Sequence, residues 1–84
     1  MNEKSVALKS ISIGDKVKVK RLLASGGIRR RLQDIGVIEG TEIECLHKSP
    51  SGDPIAYMIR GAVMALRSEE SSQIIVEGCE DYVG

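Results

Sequence analysis

The chain has no tryptophan and no phenylalanine, and its 84 residues hold two tyrosines, one histidine, two cysteines and two prolines. Single-stranded nucleic-acid binding leans on aromatic side chains that stack with bases, and Tyr57 and Tyr82 alone make a poor platform. Twelve Lys and Arg balance twelve Asp and Glu, so the basic footprint of a nucleic-acid binder is missing too, and no nucleic-acid partner is expected. No apolar run approaches the ~20 residues that cross a bilayer. No secretory leader is read in "MNEKSVALKSIS". Cys45 and Cys79 stand 34 residues apart, without the CxxC spacing of a redox or zinc motif and too few for a disulfide framework. A soluble cytoplasmic protein with reduced thiols and no direct membrane insertion is the expectation.

With the large aromatics gone, the core must come from Ile, Val, Leu, Ala and Met, and at this length it serves one domain. The balanced charge is unevenly spread. Residues 1–42 carry nine basic against five acidic side chains, and residues 43–84 three against seven, which gives a domain soluble by mixed charge and a docking face with some polarity.

What the chain does have is alternation. "KVKVK" (16–20) sends Val17 and Val19 one way and three lysines the other, as a half-buried strand does. "TEIECLHK" (41–48) puts Ile43, Cys45 and His47 on one face, and "IAYMIR" (55–60), "AVMALR" (62–67) and "QIIVE" (73–77) follow. Turn signals separate these runs, which suggests a mainly β protein, a small antiparallel barrel of about five strands. One segment departs from the pattern. In "GGIRRRLQDIGV" Ile28, Leu32 and Ile35 recur at helical spacing. Gly36 suits the left-handed position that ends a helix, with Val37 set to touch Leu32. This short inserted helix, opened by Ser25 or a glycine, would plug one open end of the barrel. Gly40 in "IEGT" suits a type II turn back to strand. Residues 1–9 read as a flexible tail leading into the barrel, 10–77 as the domain and 78–84 as a C-terminal tail.

The motifs that suggest chemistry have structural explanations. Arg29, Arg30 and Arg31 fan around a helix and cannot converge on one anion; Arg30 is placed to pair with Asp34, and Arg31 to lay its stem along the core edge. "SGGI" (25–28) lacks the Gly-Lys-Ser/Thr ending of a phosphate loop. Cys45 and His47, side by side, with Cys79 from the last strand, are candidates for a soft divalent ion such as Fe2+ or Zn2+. A free cysteine is more often a core thiol, so no cofactor is required and any metal would be adventitious or regulatory. His47 has no nucleophile at a diagnostic spacing, and catalysis is unsupported. "SEES" (68–71) reads as a helical turn with Ser68 as its N-cap. In "SPSGDPI" (49–55) Pro50 ends a strand, Gly52-Asp53 makes the turn and Pro54 stiffens the return.

Taken in order, these landmarks resemble a family. Leu8, Ile11 and Gly14 lead into Val17; "RLQDIG" (31–36) is followed by Gly40; then come "SPSGDP" (49–54), Gly61, "LR" (66–67) and Ile74-x-Val76. From about Leu8 to Val76 the chain resembles the FeoA proteins, small cytoplasmic partners of the bacterial ferrous-iron transporter FeoB. Glu39 stands where that family often has proline, Ser51 where it has an apolar residue, and Ser71 where it has alanine. The resemblance implies an SH3-like barrel with an inserted helix. It also implies a non-enzymatic accessory role in ferrous iron uptake, by contact with the GTP-binding cytoplasmic part of a FeoB-type transporter. Contact candidates are Arg30, Arg31 and Leu32 on the helix, Pro50, Asp53 and Pro54 in the loop, and Tyr57 beyond it. The same barrel resembles the C-terminal domain of iron-dependent repressors, so a metal-binding or metal-responsive regulatory module is the alternative.

Overall fold

The computed structural model describes residues 5–78. Strand β1 (Ser5–Ala7) runs into a 3-10 turn (Leu8–Ser10), followed by β2 (Lys16–Leu22), helix α1 (Gly26–Asp34), β3 (Glu42–Lys48), β4 (Ile55–Ile59) and β5 (Ala62–Leu66). A single helical turn, α2 (Ser68–Ser71), then leads to β6 (Ile74–Gly78). All six strands join one antiparallel sheet in the order β1-β6-β2-β3-β4-β5.

Among the described residues the protein is therefore mainly β with one inserted helix, as the sequence pattern predicts, with six strands where about five were expected. The additional strand lies in residues expected to be tail: Ser5, Val6 and Ala7 pair with Glu77, Val76 and Ile75. Three residues are too few for alternation to register in the sequence, and this strand exists because β6 offers it an edge. Leu8, fully buried, anchors the turn that follows. Residues 79–84, and with them Cys79 and Tyr82, lie outside the described residues.

The core forms on one face of the sheet, where Val17 pairs with Ile43, Ile43 with Ile59 and Val19 with Val76. Cys45, Ile55, Tyr57, Leu66 and Ile74 complete it, all buried. Leu32 is the buried residue of α1, and Ile28 and Ile35 pack more loosely against the same cluster. Helix α1 ends as expected. Val37 N–H donates to the Leu32 carbonyl at 2.9 Å and Gly36 N–H to that of Gln33 at 3.0 Å, the paired bonds of a Schellman cap. Gly36 has φ +98 and Gly40 has φ +91, the latter closing a type II turn in which Thr41 N–H donates to the Ile38 carbonyl at 3.0 Å. Thr41 fixes this connection further: its hydroxyl donates to the Gly36 carbonyl at 2.9 Å and accepts from Ile38 N–H at 3.2 Å.

Candidate docking surface

Helix α2 is where the helix and loop parts of the expected surface meet. Its N-cap is Arg67 rather than Ser68, and an arginine side chain has no acceptor with which to cap. Two other carboxylates serve instead. Glu70 turns back so that Oε1 accepts the Arg67 N–H at 3.0 Å, the return half of a capping box. Asp53, fifteen residues earlier in the chain, accepts the Ser68 N–H at 2.8 Å on Oδ1 and the Ser68 hydroxyl at 3.3 Å on Oδ2. The loop carboxylate expected to close its own turn thus caps a helix elsewhere. The loop's own turn is closed by backbone, with Gly52 N–H on the Ser49 carbonyl at 2.8 Å, Pro50 and Ser51 at its corners.

From the other side, Arg31 Nη1 of α1 reaches Glu70 Oε2 at 3.0 Å. Glu70 is only 5% exposed, so both of its oxygens are occupied where water scarcely reaches. Asp53 and Arg31, twenty-two residues apart in sequence, are tied to the same four-residue helix. Arg30 is exposed, and among the described residues it makes no ion pair with Asp34 or any other carboxylate.

The structure separates the contact candidates into two groups. Arg30, Arg31, Pro50, Asp53 and Pro54 are exposed. Leu32 and Tyr57 are fully buried, which removes them from any surface: Leu32 lies on the core side of α1, and Tyr57 faces inward opposite Cys45. Tyr57 supports the surface from beneath. Burial pushes its phenol up to about 12, with the neighbouring Ser71 hydroxyl pulling the other way. Among the described residues no contact of Tyr57 Oη reaches hydrogen-bond geometry, and the Ser71 hydroxyl donates instead to the Arg67 carbonyl at 3.4 Å. Ser71 is fully buried at this point.

Cys45 and His47 do not share a face. Cys45 pairs with Tyr57 but His47 pairs with Ala56, so two steps along β3 answer one step along β4. This β-bulge reverses the expected alternation: Cys45 is buried and His47 is exposed. Burial raises the Cys45 thiol, opposed by Lys48 and assisted by Asp15. A raised thiol keeps its proton and makes a poor ligand for metal. Among the described residues no three His, Cys, Asp or Glu side chains come together as a metal site.

The sequence marks α2 as a helical turn, with Glu69 and Glu70 near its positive dipole end, and gives no sign of the bridging part that Glu70 plays. Its capping part has a signal, since Glu70 stands three residues after Arg67 as a capping-box glutamate does, but the arginine at the cap position masks it.

Comparison with known proteins gives this arrangement its context. The FeoA domain family matches residues 6–78 of the chain. The chain belongs to the FeoA family. A FeoA-like protein from Clostridium acetobutylicum is 36% identical, superposes with a TM-score of 0.86, and the match covers 100% of this chain and 96% of that one. The zinc complex of Stenotrophomonas maltophilia FeoA, described as an SH3 domain protein, is 25% identical with a TM-score of 0.76, over 84% of this chain and 88% of that one. A curated FeoA relative is the Fe(2+) transport protein A/Fe(2+) transporter FeoB fusion protein of Porphyromonas gingivalis, 30% identical over 70 residues. The match takes in 83% of this chain but spans only 8% of the fusion's length. A manganese-dependent transcriptional repressor, 21% identical with a TM-score of 0.83 over 94% of this chain and 44% of that one, shares the FeoA fold alone. Among the described residues no helix is long and apolar enough to cross a membrane.

Proposed function

We propose that this FeoA-family chain is an accessory protein of ferrous iron uptake, an SH3-like small barrel that docks on the cytoplasmic, GTP-binding part of a FeoB-type transporter. The observation that carries this reading is the Porphyromonas gingivalis fusion, in which a segment similar to this chain is joined to FeoB in one polypeptide. A covalent link between two functions is a natural alternative to reversible contact between them, because it raises their effective concentration. The docking face is the exposed surface built on α1, α2 and the loop at 49–54, with Arg30, Arg31, Pro50 and Pro54 as its reachable side chains. Exposed loops on a rigid scaffold are where recognition usually resides. Here the loop is tied to α1 through Asp53–Ser68 and Arg31–Glu70, so it presents one surface instead of two independent ones. The role is non-catalytic, and iron is the transporter's cargo.

The test is a residue-resolved NMR titration of the chain with the cytoplasmic domain of a FeoB-type transporter. Amide shifts clustered at Arg30, Arg31, residues 50–54 and Ser68–Glu69 are expected. Absence of any perturbation at millimolar partner overturns the docking reading, and perturbation confined to the sheet face under β2 and β3 overturns the assignment of the surface.

A further inference from the structure

The outer face of the sheet is divided into a charged part and an apolar part. On β2, β3 and β6 it carries Lys16, Lys18, Glu42, Glu44 and Glu77, matched across the ladders as Lys16 with Glu44 and Lys18 with Glu42 and Glu77. On β4 and β5 the outward positions are Ala56, Met58, Val63 and Ala65, paired Ala56 with Ala65 and Met58 with Val63, without one charge. Val63 is 62% exposed, the most exposed of the large apolar side chains among the described residues.

Among the described residues β5 ends the sheet and pairs with β4 alone. Its other side offers backbone N–H and C=O groups to any extended chain that approaches. Folded proteins usually guard such an edge with a lysine, a proline, a bulge or very short length. The opposite edge, β1, is short, at three residues. "AVMAL" has no such guard: it is uncharged, five residues long and in unbroken register with β4, with Ala62, Val63 and Ala65 exposed.

From this edge we infer a second interaction site: β5 accepts an extended peptide segment of a partner as a seventh strand, the segment alternating apolar and neutral polar residues except for one carboxylate, which lies beside Arg67. Charge selects this occupant. Between Pro54 and Ser68 the only charged residues are Arg60 and Arg67. Arg60 lays its side chain over Gly36, which leaves exposed Arg67 as the cation at the end of the edge, in no ion pair among the described residues. A second copy of β5 is disfavoured. Antiparallel pairing centred on Met64 would bring each Arg67 to the Arg60-Gly61 turn of the other copy, like charge toward like charge at both ends. Main-chain bonding by strand addition needs little from the partner's side chains beyond alternation, so the carboxylate supplies direction and selectivity. Leu66 leads through Arg67 into α2, so an added strand would run up to the docking face; the inference does not depend on that face being used.

The experiment pairs two blocked peptides, Glu-Thr-Val-Thr-Val-Thr and its Lys-first counterpart, with the full chain, followed by amide shifts and hydrogen exchange. The expected result is shifts and slowed exchange confined to residues 62–67, with the Glu peptide binding a few-fold more tightly, the scale of an exposed ion pair. In Arg67→Glu the preference reverses toward the Lys peptide. No response at β5 with millimolar peptide overturns the inference, as does equal binding of both peptides. Shifts at 62–66 that grow with protein concentration and no peptide would identify a second copy as the occupant and overturn it too. Because the wild-type chain with two peptides already decides the matter, a folding defect in the variant cannot obscure the outcome.

Discussion

Gly36→Ala is the substitution whose cost the structure determines most fully. Two separate demands fall on this residue. Its φ of +98 lies where a side chain is strained, at roughly 1–3 kcal/mol for a non-glycine residue. A methyl group there would also overlap Cδ of Arg60. Arg60 cannot retreat by moving its backbone, since it sits at φ +51 beside Gly61 at φ +84 in the two-residue turn joining β4 and β5, a conformation fixed by the hairpin. Its side chain must swing away, at roughly 0.5–1.5 kcal/mol for a displaced rotamer. The sum is about 2–4 kcal/mol, a fall in Tm of ~10–25 °C for a domain of this size. Urea and thermal unfolding of Gly36→Ala, Arg60→Ala and the double variant separate the two demands. In the Arg60→Ala background the same substitution should cost only the backbone part, about 1 kcal/mol less. A single variant within ~0.5 kcal/mol of wild type refutes the left-handed cap. Equal cost in both backgrounds refutes the contact with Arg60.

Three further outcomes follow from the same geometry. Asp53→Ala removes the side-chain cap of α2 and should cost about 0.5–2 kcal/mol, with faster hydrogen exchange at the Ser68 amide as the local readout. Glu39 occupies the first corner of the type II turn that Gly40 closes, a position suited to proline, so Glu39→Pro should raise stability by ~0.4–1 kcal/mol in urea unfolding. Burial raises the Tyr57 phenol from 10 to about 12, so between those values the unfolded chain releases a proton that the folded protein keeps; the stability present below pH 10 declines as pH rises through the window, by up to ~1.4 kcal/mol per unit. Tyr57→Phe should flatten that decline relative to wild type in urea titrations, without a loss of more than ~1 kcal/mol at neutral pH, because Tyr57 Oη has no partner to lose among the described residues.

How much of this was legible in the sequence depends on how local the determining interactions are. The helix cap at Gly36 and the turn at Gly40 were readable because each is decided within five or six residues, by a backbone angle that glycine permits. Strands β2 to β6 were readable from alternation, while β1 was not, since three residues joined to a distant edge carry no period. The bulge in β3 was illegible for a related reason: whether Cys45 and His47 share a face depends on how β3 pairs with β4, and nothing in "ECLHK" states the partner's spacing. Leu32 and Tyr57 belong to the same class of error. Leu32 stands beside exposed Arg31, and Tyr57 three residues past exposed Pro54; that proximity gave no measure of the inward direction that the packing imposes.

The surface itself shows what tertiary structure adds to such a reading. Arg31 and Asp53 look in the sequence like free charges available to a partner, yet each is already engaged on α2. Glu70 is nearly inaccessible to water, and a buried carboxylate left without its partner is costly, though less so than in a pair buried on both sides, because Arg31 is itself more than half exposed. A partner that drew Arg31 away would have to repay that cost, whereas one that met Arg31 in place would not. The Arg31 side chain remains 59% exposed while it holds Glu70, and a guanidinium has five N–H donors, so it can serve both at once. If this face docks a partner as proposed, Arg31 would meet it in the orientation in which Glu70 holds it, and α2, which makes the helix and the loop one body, would set the direction from which a carboxylate of that partner could approach.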